Sequence, residues 1–334
     1  MTDRGTRRVT SADVARMAGV SRATVSYVLN DTPRQTISAG TRDRVLDAAA
    51  RLGYAPSAAA RALRTGRSDV VLCLLPDWPI GPEVGTLLGC LSTALARHGL
   101  TFVVHPGTRE GRPSTEIWTA ITPAAVIAFA GFSEAETAAM HAAGVALVVA
   151  LLGGRGRPHG RELAVPQELV GRRQSEYLIH AGHTRLGYAC PDDDRLLIFA
   201  EPRLAGVRAA CRAAGIAEPV TATVALDPER AADAVRRWHA NQITAVCAYN
   251  DEVALAVLAG VRRLALTAPT DLAVIGVDDI APARLAAPAL TTVTTDQTAV
   301  AAYLAATVVA AVGGRPGPEL PAADIVRVVA RESA

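Results

Sequence analysis

VTSADVARMAGVSRATVSYVLN, residues 9–30, reads as two short helices joined by a tight turn. Thr10 suits a helix cap, and Asp13 three residues on suits the positive N-terminal end of the helix. Val14, Ala15 and Ala18 then share one face. Gly19 follows, the residue best able to take a left-handed backbone at a helix end. Ser21 caps the second helix, where Val25, Val28 and Leu29 point inward at i, i+3, i+4 spacing. The opposite face carries Arg22, Ala23, Ser26, Tyr27 and Asn30. This is the pattern of a helix-turn-helix whose second helix enters the DNA major groove. Taken alone, it also fits an ordinary helical hairpin with a solvated face.

The residues that follow shift that balance. After a loop, Ser38 caps a third helix over 39–52, and Val45, Leu46, Ala49 and Leu52 offer a face to close a small core. PSAAARALRTGRS (56–68) comes next. Ser57 can cap one or two helical turns over 58–63, but a helix this short is marginal in water unless it forms against a partner or a DNA groove. The plain alternative is a linker. Residues 1–70 hold 12 Arg against 6 Asp, a balance of +6, whereas the remainder carries 22 Arg against 26 acidic residues; the chain has no Lys. A basic head on a mildly acidic body points to a head that meets a polyanion.

From Val70 the character changes. Apolar runs (VVLCLL 70–75, TFVVHP 101–106, AAVIAFA 124–130, VALVVALL 145–152) alternate with amphipathic helices. After the glycine-rich GGRGRPHG the rhythm restarts, with RLGYAC, VTATVAL, TAVCAYN and LAVIGVDD as strands. Two β-α units in tandem imply two lobes built on parallel sheets, with ligands held in loops at the C-terminal ends of the strands. A last helix around 299–312 returns to the first lobe. The expected domains are a small all-α helix-turn-helix domain at 1–55, a hinge helix and linker at 56–68, and an α/β two-lobed domain at 69–334. Lobe one covers about 69–163 plus 295–328, and lobe two about 164–293. No run approaches the roughly 20 apolar residues of a membrane span. MTDRGTRRVT lacks the apolar stretch of a secretory signal, and the five Cys show no C-x-x-C spacing, so reduced thiols in a cytoplasmic protein are expected.

Several motifs in order carry a family resemblance: residues 9–30, TRDRVLDAAARLGYAPSAAARALRTGRS, LIHAGHTRLGYA, RLAGVRAA, TAVCAYNDEVALA, DLAVIGVDDIAPARLAAPALTTV and the terminal ARES. Over nearly its full length the chain resembles the lactose-repressor/galactose-repressor (LacI/GalR) family of bacterial transcription regulators. The resemblance implies a periplasmic-binding-protein-like fold for the two-lobed part. It also implies a homodimer, or a dimer of dimers, on a pseudo-palindromic double-stranded operator. Arg22, Ala23 and Tyr27 match the base-reading positions. Arg22 suits a bidentate contact to guanine and Ala23 an apolar contact to a thymine methyl. Thr10, Ser21, Thr24, Ser26 and Asn30 suit phosphate contacts, which position without specifying. Ser57, Ala60 and Leu63 fall in the segment matching the minor-groove hinge helix, with Leu63 as the wedge between base pairs.

The same resemblance places an effector in the inter-lobe cleft, with Arg203, Asn250 and Asp278 as ligating residues, while Trp78, outside the family pattern, offers either a stacking face or a plug for the cleft. An Arg, an amide and a carboxylate suit a polar small molecule such as a sugar or sugar derivative. The plain alternatives are a loop cap for Asp278 and Asp279 and an ion pair for Arg203. Three departures thin the sugar-binding set. Leu151 stands where Asp is common, Thr295 where Gln is frequent, and Ile80-Gly81-Pro82-Glu83 replaces an Asn-Pro-aromatic-aromatic run. Neither a metal site nor a cofactor is expected: GGRGRPHG lacks the Gly-Lys-Ser/Thr end of a phosphate loop, and His180 and His183 fall at a helix-to-strand turn near a solvated acidic loop. The leading function is an effector-controlled DNA-binding repressor. An effector-free regulator and a solute-binding protein of the same fold are the alternatives, and an enzyme is disfavoured for want of an acid/base or metal cluster.

Overall fold

The computed structural model describes residues 9–29, 36–54, 68–107, 114–129, 132–151, 161–164, 167–318 and 325–334. The chain divides into two compact units, Met1–Asp69 and Val70–Ala334. Asn30, Ser57, Ala60 and Leu63 lie outside the described residues.

In the first unit, α1 (Ser11–Ala18), α2 (Arg22–Leu29) and α3 (Ala39–Leu52) enclose one small core. Each helix starts where a side chain answers orphan backbone donors. The Asp13 carboxylate accepts from the backbone N–H and the hydroxyl of Thr10 at 3.0 and 2.7 Å. Ser21 accepts from the Thr24 N–H at 3.0 Å, and Ser38 from the Thr41 N–H at 3.3 Å. Gly19, at φ +65°, ends α1 in the left-handed region and turns the chain into α2. Val14, Ala15, Ala18, Val25, Val28, Val45, Ala48 and Ala49 are buried. Leu46 departs from expectation and is 47% exposed. One residue is 100° of helix, so Leu46 turns outward beside Val45, and Ala48 takes the inward place.

The second unit is built on two sheets. Its elements in order are β1 (Val70–Leu75), α4 (Pro82–Ala96), β2 (Thr101–Pro106), α5 (Ser114–Ile121), β3 (Ala125–Ala128), α6 (Glu134–Ala142), β4 (Ala146–Leu151) and β5 (Arg161–Ala164). Then come α7 (Gln167–His180), β6 (Leu186–Pro191), a 3₁₀ turn (Asp194–Leu196), α8 (Leu197–Ala213), β7 (Val220–Val224), α9 (Pro228–Ala240), β8 (Ala245–Ala248), α10 (Asp251–Arg263) and β9 (Ala273–Val277). The unit ends with α11 (Ala281–Leu285), β10 (Thr291–Thr295), α12 (Gln297–Val312) and β11 (Val326–Val329). The first sheet runs β2-β1-β3-β4-β5 and is parallel throughout. The second runs β11-β10-β9-β8-β6-β7, parallel except for the β10–β11 pair. Strands covered on both faces need continuous apolar runs, and β3, β8 and β9 are buried at every residue.

Strand order reverses beside β1 in one sheet and beside β6 in the other. These are the switch points where loops at the carboxyl ends of strands leave a crevice. Two features differ from the expected layout. RELA at 161–164 adds strand β5, which no apolar run announces. And residues 295–328 do not all return to the first lobe: α12 packs on α4, β3 and β4, but β11 pairs with β10 in the second sheet, with Thr295 opposite Val326. The lobe-one segment therefore ends before Val326, because β10 offers a free edge that the apolar VRVV run completes. Among the described residues no helix is long and apolar enough to cross a membrane.

Helices α7 and α8 meet backbone to backbone. A Cβ at Gly171 would come within 1.8 Å of the Arg203 carbonyl oxygen, and one at Gly206 within 2.0 Å of the Glu168 carbonyl oxygen. Gly206→Ala should therefore cost about 1–3 kcal/mol through overpacking, read as a lower melting temperature. Gly85→Ala, whose Cβ would meet open space on α4, should instead raise it slightly through helix propensity. Equal effects would show that the α7–α8 approach is slack.

Candidate functional site

Two surfaces carry candidate chemistry, one in each unit. The first is the outer face of α2. Its inward side chains, Val25 and Val28, are buried against α1 and α3, which locks the rotation of the helix. Arg22, Ala23 and Tyr27 are thereby exposed together, with Thr24 and Ser26 half-buried beside them. Ser21 and Thr24 also exchange a hydroxyl–hydroxyl bond at 2.9 Å, so the cap of α2 is held by side chains at the end that would approach a groove. Thr10 is exposed and engaged with Asp13, so its capping role is realised within the unit itself.

The second is a cavity of about 150 Å³ in the second unit, lined from both sheets. Leu75 ends β1 and Trp78 follows it, Phe129 follows β3, Tyr249 and Asn250 follow β8, Asp278 follows β9 and Thr295 ends β10. Arg203 reaches in from α8, and Glu83 and Gln297 from the first turns of α4 and α12. Trp78 packs against Phe129 with centroids 5.5 Å apart and edge-on against Phe199 of α8 at 4.8 Å. The contact with Phe199 joins the loop after β1 to α8 of the other lobe, and an Arg195–Asp77 ion pair at 3.3 Å joins the same loop to the 3₁₀ turn before α8. Trp78 therefore walls the cavity and is itself held by two rings.

Arg203 is buried and heavily engaged. Its Nε donates to Gln167 Oε1 at 2.8 Å and its Nη1 to the Tyr249 carbonyl at 2.6 Å. Its Nη2 faces Asp278 at 3.9 Å, and the guanidinium lies over the Tyr249 ring, 4.9 Å from the centroid. Asn250 caps α10 by accepting from the Val253 N–H at 2.9 Å, which leaves its amide NH₂ group to the cavity. Asp278 and Asp279 stand at φ 108° and 51°, a left-handed pair that costs free energy and needs support. The support is dense. The Asp278 N–H donates to Val293 O at 2.8 Å, Asp279 pairs with Arg284 at 3.1 Å and with Arg331, and the Ile280 N–H donates to the buried Asp251 carboxylate at 2.9 Å. Thr292 donates to the other Asp251 oxygen at 2.6 Å.

The terminal motif acts in the same support. Ser333 Oγ donates to Val274 O at 2.6 Å and accepts from the Thr291 N–H at 2.8 Å, while Glu332 accepts from the Ala289 N–H at 2.9 Å. ARES is thus a clasp on β9 and β10. Burial pushes Asp251 up to about 7, with the Thr292 and Ile280 bonds opposing the rise. Burial also raises Asp278, against the pull of Arg203. Glu83 is pushed up to about 7, chiefly by burial and next by the charge of Asp278, with the Gln297 bond and Arg203 opposing.

The four cleft residues singled out in the sequence, Trp78, Arg203, Asn250 and Asp278, all line this one cavity. Asp279, grouped with Asp278 as a loop cap, is instead the loop's ion-paired anchor. Sequence reasoning missed Glu83, Gln297 and Gln167. Glu83 appeared only as a departure, and Gln297 lies two residues beyond the position searched for an amide; its side chain donates to Glu83. The local clue was a carboxylate one residue into a proline-led helix. His183 bonds Thr244 at 2.9 Å, Asp193 caps the 3₁₀ turn and pairs with Arg195, and Asp192 pairs with Arg230, so these groups serve local structure.

Comparisons with known proteins agree on one relationship. A family model described as bacterial regulatory proteins, lacI family, matches residues 10–57, and a periplasmic binding protein-like domain matches residues 175–334. The HTH-type transcriptional regulator CelR of Thermobifida fusca is 31% identical over 317 residues, covering 86% of this chain and 87% of that protein. HTH-type transcriptional regulator GalR of Escherichia coli (strain K12) is 28% identical over 321 residues, 93% of this chain and 91% of the relative. Among solved structures, the lac repressor dimer bound to operator and an anti-inducer matches with a TM-score of 0.82 at 22% identity, over 98% of this chain and 99% of that one.

The raised Glu83 carboxyl has a consequence for stability. Burial raises its folded pKa to about 7, above the ordinary carboxylate value of 4.5, so the folded state holds the extra proton between those limits. Its contribution is therefore most favourable at or below about pH 4.5 and declines as pH rises through about 7. Glu83→Gln, neutral throughout, should melt higher than the parent at pH 8, with the gap closing by pH 5. A pH-independent difference would mean that Glu83 carries its charge at no cost.

Proposed function

The chain belongs to the LacI family of bacterial regulatory proteins, and from that premise we propose that it is a transcriptional repressor binding a pseudo-palindromic operator as a homodimer. The observation that carries the reading is the exposed set Arg22, Ala23 and Tyr27 on a helix whose rotation is locked by buried Val25 and Val28. Arg22 reads guanine O6 and N7, Ala23 contacts a thymine methyl, and the Tyr27 hydroxyl makes a weaker single contact. Thr10, Ser21, Thr24, Ser26 and Asn30 hold the phosphates on either side. Ser57, Ala60 and Leu63 form the minor-groove hinge, where Leu63 unstacks a central step. In this reading the role is regulatory rather than catalytic, and the protein works in the cytoplasm on the nucleoid.

The cavity lined by Trp78, Arg203, Asn250 and Asp278 is the effector site. A ligand that prefers one angle between the lobes shifts the population of the DNA-binding state by its difference in affinity for the two, without covering the DNA-reading face. The supporting geometry is the pair of inter-lobe contacts, Trp78–Phe199 and Asp77–Arg195, at the rim of that cavity. The structure of CelR with cellobiose, 25% identical with a TM-score of 0.64 over 98% of this chain and 100% of that one, carries a sugar on this general architecture.

Selection from a random DNA pool with the full-length protein should enrich a pseudo-palindrome; no enriched site, with or without cell extract as a source of co-effector, would sink the reading. Arg22→Ala should relax base preference within each half-site, by about 1–3 kcal/mol per bidentate pair lost. Uniform weakening with preference intact would make Arg22 a phosphate contact. Leu63→Ala should weaken operator binding far more than nonspecific binding, and equal losses on both would remove the wedge.

A further inference from the structure

The charges around the cavity narrow its ligand beyond a polar small molecule; this inference rests on the cavity being the effector site. Three carboxylates line it, Glu83, Asp278 and Glu252, against one guanidinium, Arg203. Arg203 is turned to the protein: Gln167 and the Tyr249 carbonyl take two of its nitrogens, and the third faces Asp278. Among the described lining residues, then, no cation is left to receive a phosphate or a carboxylate. Acceptors remain. Glu83 comes from the first lobe and is held by a neutral amide, Gln297, while Asp278 comes from the second at the long distance of 3.9 Å from its guanidinium partner. A desolvated carboxylate without a close cation is costly, and a cationic ligand relieves that cost.

Size and shape restrict the ligand further. An engineered cavity of about 150 Å³ in another protein holds benzene, so a void of this size suits a single six-membered ring. Trp78 offers an apolar wall for the ring's C–H face, while Asn250 and Thr295 offer polar groups for hydroxyls. We propose that the effector is a small hydroxylated ring bearing a protonated amine, of the amino-sugar or aminocyclitol class. Its ammonium sits between Glu83 and Asp278, and its apolar face lies against Trp78. Among the described lining residues, a sugar phosphate or a uronate would meet two carboxylates with no available cation.

Calorimetry on the full-length protein tests this with a panel of aminohexoses carrying the amine at different ring positions, together with aminocyclitols. Each is measured beside its neutral hydroxyl parent, and hexuronates serve as the acidic controls. At least one amine should bind about tenfold or more tightly than its parent, the scale of a charge-assisted hydrogen bond, and the acids should bind weakest. The ammonium favours ionised Glu83, so for amines that stay protonated to pH 8 the affinity should rise from pH 6 to 8. The charged groups acting on Glu83 are Asp278 and Asp279, which oppose its ionisation, and Arg203, which favours it; Glu252 is a further carboxylate of the cavity lining. Glu83→Gln should remove both the amine preference and the pH slope. A parent or an acid that binds as tightly as its amine, or a panel in which no amine binds, overturns the proposal. Trp78→Ala and Gln297→Ala separate the two readings. If a bound compound is unaffected by both variants, it lies outside the cavity and the effector-site reading itself fails. If they weaken binding while amine and parent remain equal, only the amine assignment fails.

Discussion

The buried guanidinium of Arg203 is the interaction on which the second unit's site depends. It ties α7 through Gln167, the end of β8 through Tyr249, and the end of β9 through Asp278. A buried charge is tolerated only with several well-aligned partners, so three elements must arrive together for any of them to be stable. Their arrival rests in turn on Gly171 and Gly206, because any side chain at either would push α7 and α8 apart and withdraw Arg203 from Tyr249. The site's charge geometry and the packing of two helices are thus one constraint.

A second buried charge, Asp251, does for the loop what Arg203 does for the helices. Consecutive left-handed residues at Asp278 and Asp279 would relax if unsupported. Asp251 holds Ile280 and Thr292, Arg331 and Arg284 hold Asp279, and Ser333 holds β9 to the start of β10. Asp278 is the member of this loop that remains for the cavity. The final residues of the chain, which do not themselves line the cavity, therefore help decide where a cavity carboxylate points. The first unit works by a simpler economy: three caps and one small core suffice to expose a chosen face of α2.

The two candidate sites also differ in what fixes them. On α2 the exposed residues follow from the helix period once Val25 and Val28 are buried. In the cavity each wall residue comes from a different element, and several partners are far apart in sequence: Glu83 and Gln297 are separated by 214 residues. Such pairs leave no local periodicity to read, which is why Arg203, Asn250 and Asp278 are reached through motif resemblance, Trp78 only as an aromatic near a departure from the motif, and Glu83, Gln297 and Gln167 not at all.

What the sequence determined by itself is what depends on neighbours along the chain. Thr10, Ser21, Ser38 and Gly19 mark the helix ends, the i, i+3, i+4 spacing marks the faces, and buried apolar runs mark the parallel strands. The ordered motifs pointed to the family. The tertiary structure decided what depends on contacts across the chain. It turned Leu46 outward, added β5 from a run with no apolar signature, and sent β11 to the open edge of β10 rather than back to the first lobe. It also brought Glu83 to the cavity that Arg203 and Asp278 line. The physical reason is that a cap or a helical stripe is settled within a few residues, whereas a sheet edge, a helix–helix approach or a buried charge is settled by whichever distant group completes it.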